Sequence, residues 1–78
     1  MWYVYILKCV DGKHYTGCTS NLKERISKHQ NGQVESTKSR RPVELIIYIA
    51  FTDKYKAFFF EKYLKSGSGR AFAKKRFL

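Results

Sequence analysis

Apolar residues fall into dense runs separated by short polar stretches, and the runs carry two different periods. Trp2 to Val10 is apolar on both alternating sets and rich in aromatic and β-branched residues, the pattern of a strand covered on both faces. Asp11-Gly12 marks a turn, and His14 to Cys18 returns as the second strand of one hairpin. Val43 to Phe51, following Pro42, repeats the first pattern and predicts a third strand, again covered on both faces.

Helical spacing takes over elsewhere. Thr19-Ser20-Asn21 supplies helix-start chemistry: with Asn21 as N-cap, Glu24 stands at N3 and completes an Asn variant of the capping box. The helix then runs from Leu22 to Gln30 and ends where Asn31-Gly32 offers left-handed residues. Leu22 and Ile26 face the sheet, while Arg25 and His29, also four apart, rise as neighbours along the edge of that face. Gln33 to Arg41 is polar and basic and predicts an exposed loop. Asp53 caps a second helix through Lys65, whose inward stripe is Ala57, Phe60, Glu61 and Leu64. Gly67-Ser68-Gly69 breaks the chain as a linker, and Arg70 to Phe77 reads as a short closing helix anchored by Ala71, Phe72 and Phe77. Three strands and three helices make a sheet with helices on its faces.

Charge narrows the function. The 78 residues carry 16 Lys+Arg against 6 Asp+Glu, a net +10 at pH 7, which implies a polyanionic partner unless it is only a solvated basic surface. Two clusters are candidate nucleic-acid contacts: Lys38, Arg40 and Arg41, and then Arg70, Lys74, Lys75 and Arg76. The length predicts a single domain over residues 1–78, and its 17% aromatic content helps so small a core, because each ring buries about 150–250 Å². Cys9 and Cys18 lie on the two hairpin strands, and neither a two- nor a three-residue turn pairs them. No signal-peptide pattern and no long apolar run is present, so the expected setting is a reducing cytoplasm.

Glu61 is the sharpest single residue, because a carboxylate on an apolar stripe is paired, protonated or holding a metal. The plain alternative is an ion pair with Lys62 or Lys65. A hard cation such as Mg²⁺ is often held by one or two carboxylates together with water and substrate phosphate. Arg25 can grip a phosphate and neutralise charge at phosphorus, and His29 can pass protons near neutral pH; the alternative is an ordinary solvent-facing pair. Tyr3, Tyr5, Tyr15 and Tyr48 are by default core residues with hydrogen-bonded hydroxyls. A phenol becomes a plausible base only when nearby cations lower its pKa from about 10.

The order Tyr3-Val4-Tyr5, Tyr15-Thr16-Gly17, Asn21-Leu22-Lys23-Glu24-Arg25, His29 and Glu61 resembles the GIY-YIG nuclease domain, in particular its compact stand-alone bacterial members related to the incision domain of the excision repair nuclease and to junction resolvases. The resemblance covers nearly the whole chain. It implies an α+β fold with a central three-stranded antiparallel sheet flanked by helices, and hydrolysis of phosphodiesters with one divalent metal, Mg²⁺ or Mn²⁺. By position, Tyr5 and Tyr15 match the two motif tyrosines, Arg25 the helix arginine, His29 a His-or-Tyr position and Glu61 the metal carboxylate. Tyr3 stands in place of the first motif's glycine and Thr16 in place of an aliphatic residue. An asparagine that many members carry near the end has no counterpart; Gly67-Ser68-Gly69-Arg70 occupies that stretch.

The expectation is therefore a metal-dependent DNA endonuclease in which Tyr15, preferred over Tyr5, activates water, Arg25 and a metal on Glu61 stabilise the transition state, and His29 relays a proton. RNA is not excluded as a substrate. The rivals are a catalytically silent nucleic-acid-binding module and an accessory subunit that needs a protein partner for specificity. Convergence of the two tyrosines demands one thing of the hairpin. A two-residue loop puts Tyr5 and Tyr15 on opposite faces, whereas a three-residue loop, Asp11-Gly12-Lys13, pairs Val10 with His14 and Cys9 with Tyr15 and puts both on one face.

Overall fold

The computed structural model describes residues 1–78 and has the element order β1 (Trp2–Lys8), β2 (His14–Thr19), α1 (Leu22–Gln30), β3 (Glu44–Phe51), α2 (Lys54–Lys65) and α3 (Gly67–Arg76), with a 3-10 turn at Lys38–Arg40. The strands form one antiparallel sheet in the order β2-β1-β3. β1 is the central strand and is covered on both sides, as its double apolar pattern predicts. Val4 and Ile6 pack against Ala57 and Leu64 of α2 and Ala73 of α3. Tyr5 and Leu7 point the other way, where Leu22 and Ile26 of α1 and the loop residue Val43 meet them.

The hairpin loop has three residues, but they are Val10-Asp11-Gly12, so Leu7 pairs with Tyr15 and Cys9 closes on Lys13. The expected loop was one residue further along the chain. Its shift has a cause in the backbone. A three-residue hairpin loop is a type I turn followed by a left-handed residue, and only Gly12, at φ 82°, takes that position without strain. The Asp11 carboxylate then accepts from the Lys13 N–H. The odd length survives, and Tyr5 and Tyr15 share a face.

Both helix caps are as read. Asn21 accepts from the Glu24 N–H and donates its amide to the Glu24 carboxylate, while Asp53 accepts from Tyr55 and Lys56. At the end of α1 the Gly32 and Gln33 N–H groups return to the carbonyls of His29 and Lys28, a Schellman motif with Gly32 at φ 75°.

Three expectations differ. β3 is an edge strand whose Leu45 and Tyr48 are 37% and 52% exposed, because α1 packs over Tyr5 and Leu7 of β1 and not over β3; Tyr48 rests on Tyr3 instead. The Gly67-Ser68-Gly69 segment is no linker but the first turn of α3, capped by Ser66, whose hydroxyl accepts from Gly69. A Cβ at Gly69 would lie 1.7 Å from the Tyr63 carbonyl oxygen, so glycine here lets the two helices touch. That close joint also turns α3 so that Ala73, not Ala71, is buried.

Candidate active site

The register sets the site. Tyr5 lies opposite Gly17 on the outer strand, and its ring leans across that glycine: a Cβ there would fall 2.3 Å from the Tyr5 oxygen and 2.4 Å from Cζ. Tyr5 is fully buried and its oxygen lies 2.8 Å from His29 Nε2. The half-buried Tyr15 ring closes the group, with centroids 5.1 Å from His29 and 6.5 Å from Tyr5.

His29 differs from its expected place on a helix edge. It is fully buried, with Nδ1 2.7 Å from the hydroxyl of Thr37, itself fully buried. A histidine between two hydroxyls is satisfied as the neutral ring. Burial, and secondarily the Arg25 charge, hold its pKa below the usual value. Direct proton exchange with bulk water is closed to it.

The charges reach this group from both faces of the sheet. Arg25, exposed on α1, acts on both Tyr5 and His29, and Glu61, on α2, acts on Tyr5 and on the Cys18 thiol. Burial dominates at Tyr5 and pushes its phenol well above the ordinary value; Tyr15 and Glu61 push the same way and Arg25 opposes them. Tyr5 is thus a protonated phenol at neutral pH.

Glu61 makes the ion pair that was its plain alternative: Lys65 Nζ lies 3.1 Å from Oε2. The carboxylate is 23% exposed and the lysine 52%, so the lysine can move into solvent and free an oxygen donor. No cluster of three or more His, Cys, Asp or Glu side chains exists. A lone carboxylate fits a hard cation that keeps most of its water, and does not fit a protein-caged metal.

A cavity of about 1020 Å³ opens along β2 on the α2–α3 side of the sheet, among Ile6, Thr16, Leu64 and Ala73; Tyr15 lines it, whereas Tyr5, His29, Arg25 and Glu61 do not. Its rim carries Lys13, Arg40, Lys65, Arg70 and Lys74, with no Asp or Glu side chain. Of the sequence-predicted contacts, Arg40, Arg70 and Lys74 meet there, whereas Lys38, Arg41, Lys75 and Arg76 lie outside it. Arg40 also binds Asp11 at 3.1 Å, and Arg41 donates to the carbonyls of Lys38 and Gln30. The basic loop is exposed over most of its length, as expected, yet it is fastened down at several points and buries Thr37. Sequence patterning does not mark Lys13 or Thr37 and offers Lys65 only as a partner for Glu61: the two lysines stand outside the charge clusters, and a threonine in a polar loop gives no sign of burial.

No helix is long and apolar enough to cross a membrane, and both cysteines are free.

The chain matches the GIY-YIG catalytic domain over residues 1–76. It is 48% identical over 56 residues to a UPF0213 protein of Staphylococcus saprophyticus, covering 70% of this chain and 68% of that one. A UPF0213 protein of Clostridium perfringens is 47% identical over 66 residues, covering 83% and 71%. The solution NMR structure of a UPF0213 protein from Bacillus halodurans superposes with a TM-score of 0.61 at 39% identity, covering 96% of this chain and 82% of that one. With both motif tyrosines turned to one face and the match running almost end to end, this chain belongs to the GIY-YIG catalytic domain family.

Proposed function

We propose that the chain is an endonuclease that uses a divalent metal, Mg²⁺ or Mn²⁺, to hydrolyse DNA phosphodiester bonds, selecting by structure or strand state rather than base sequence. GIY-YIG domains are generally nucleases, and one observation carries the reading to this chain. Tyr5, Tyr15 and His29 form one contact group, and its central Tyr5 feels the charges of Arg25 on α1 and Glu61 on α2.

Each residue has work suited to its surroundings. Tyr15, half-buried, is the tyrosine that meets the attacking water. Tyr5, buried and protonated, orients the reacting groups, and His29 holds Tyr5 in place instead of relaying protons to solvent. Arg25 grips the phosphate and offsets the charge that builds on it. Glu61 is the metal ligand once Lys65 swings away; a bound divalent ion supplies Lewis-acid stabilisation of the phosphoryl oxygens. The basic rim holds flanking phosphates, with Lys38, Arg41, Lys75 and Arg76 further out, so affinity is set by phosphate contacts and falls with salt.

The test is cleavage of branched, nicked, single-stranded and duplex DNA, and of RNA, with Mg²⁺, Mn²⁺ or EDTA. Metal-dependent cutting of at least one DNA form is expected. Tight binding of every substrate with no cleavage in either metal would replace this reading with that of a binding module.

A further inference from the structure

We propose that the cavity along β2 holds one unpaired nucleotide of a DNA strand, its base on the apolar lining and its two phosphates among the rim cations. The inference rests on the DNA-binding part of the reading above and names the strand state that is selected. Charge supports it first. Lys13, Arg70 and Lys74 make no ion pair, yet they converge with Arg40 and Lys65 on one concavity that no Asp or Glu side chain lines. Cations gathered without acids repel one another until an anion joins them.

The layout supports it second. The cations come from two separate parts of the fold: Lys13 from the hairpin and Arg40 from the loop tied to it through Asp11, then Lys65, Arg70 and Lys74 from α2 and α3. The same cavity is lined by Ile6, Leu64 and Ala73 and by the half-exposed Leu78. Phosphate alone gains nothing from an apolar lining, and a base paired inside a duplex cannot reach it. A nucleotide out of the stack offers a flat apolar face with a phosphate on each side. At about 1020 Å³ the space matches a large small-ligand pocket and admits a nucleotide but not a duplex. Tyr15 lines it too, so the unpaired nucleotide lies next to the catalytic group.

Fluorescence anisotropy in EDTA, where nothing is cut, tests this with three DNAs: a paired duplex, the same duplex with one bulged nucleotide, and that bulge made abasic, which keeps both phosphates. The base-bearing bulge should bind roughly 5-fold or more tighter than the abasic one, the lower end of what one stacked base contributes. Methyl NMR signals of Leu64 and Ala73 should shift with it, and those of Leu22 and Ile26 should not. Thr16→Phe, which puts a ring into the cavity, should remove the gain from the base and leave duplex binding unchanged. Equal affinity for the two bulges, or shifts confined to Leu22 and Ile26, overturns the proposal. Should Thr16→Phe fail to fold, the wild-type comparison decides it. A protein that prefers the base-bearing bulge yet cuts no DNA when metal is added keeps the cavity's role and loses the nuclease reading; one that cuts but ignores the base does the reverse.

Discussion

Tyr5 and Gly17 face each other across β1 and β2 so closely that a methyl group on the glycine would occupy the place of the phenol's tip, 2.3 Å from its oxygen. Gly17→Ala should therefore push the ring off His29 Nε2. Forcing an extra carbon against a packed side chain costs about 1–3 kcal/mol, visible in a urea melt, and cleavage should drop with it. An unchanged melting curve and an unmoved His29 ring spectrum would show that the phenol has room to spare.

Glu61→Gln keeps the shape of the side chain and removes its charge. Cleavage should fall to background in Mg²⁺ and Mn²⁺ while the fold and most DNA affinity remain, because binding is spread over many cations. Wild-type turnover in this variant would take the metal away from Glu61. Lys65→Ala offers the converse, since it removes the ammonium 3.1 Å from the carboxylate; a lower metal concentration for half-maximal rate is expected.

Arg25→Ala should reduce turnover on the order of 100-fold and binding much less, since the guanidinium's main partner is charge that exists only in the transition state. Lys75→Ala should do the reverse, with a salt dependence shallower by about one phosphate contact. Filter binding and single-turnover rates separate the two, and identical behaviour would point to a protein that only binds.

Buried His29 predicts the direction of pH dependence. Its folded pKa lies below its ordinary 6.5, so below that pH the unfolded chain binds the extra proton and the fold does not. Stability is then full above about 6.5 and declines as pH falls from there toward the folded value. Denaturant melts between pH 5 and 8 should show the decline, and His29→Gln should flatten it. A slope that persists in the variant would assign it to other groups.

Local chemistry made much of the fold legible. Asn21 and Asp53 announce helix starts because capping needs only neighbours in sequence, and the double apolar pattern of Trp2–Lys8 identifies the central strand. β3 carries a similar pattern yet lies at an edge, since periodicity tells which residues are apolar and not how far a covering helix extends. Within the site, Tyr5, Tyr15, Arg25, His29 and Glu61 are conspicuous by type and order. Their division of labour is not, because it depends on burial: helical spacing puts His29 on an edge where the fold buries it, and nothing local marks Thr37 as its partner.

Ser66 ends α2 and begins α3 with no residue between, which fixes the rotational phase of one helix on the other. Each residue of an α-helix turns it by about 100°. One residue inserted at this joint would swing Arg70 and Lys74 away from Lys65 and carry Gly69 off the Tyr63 carbonyl. The electrostatic profile of the groove beside β2 is thus encoded less by how many cations α3 bears than by the phase of the hinge before it, so that chains of identical charge and different joint length would present different fields to a nucleic acid.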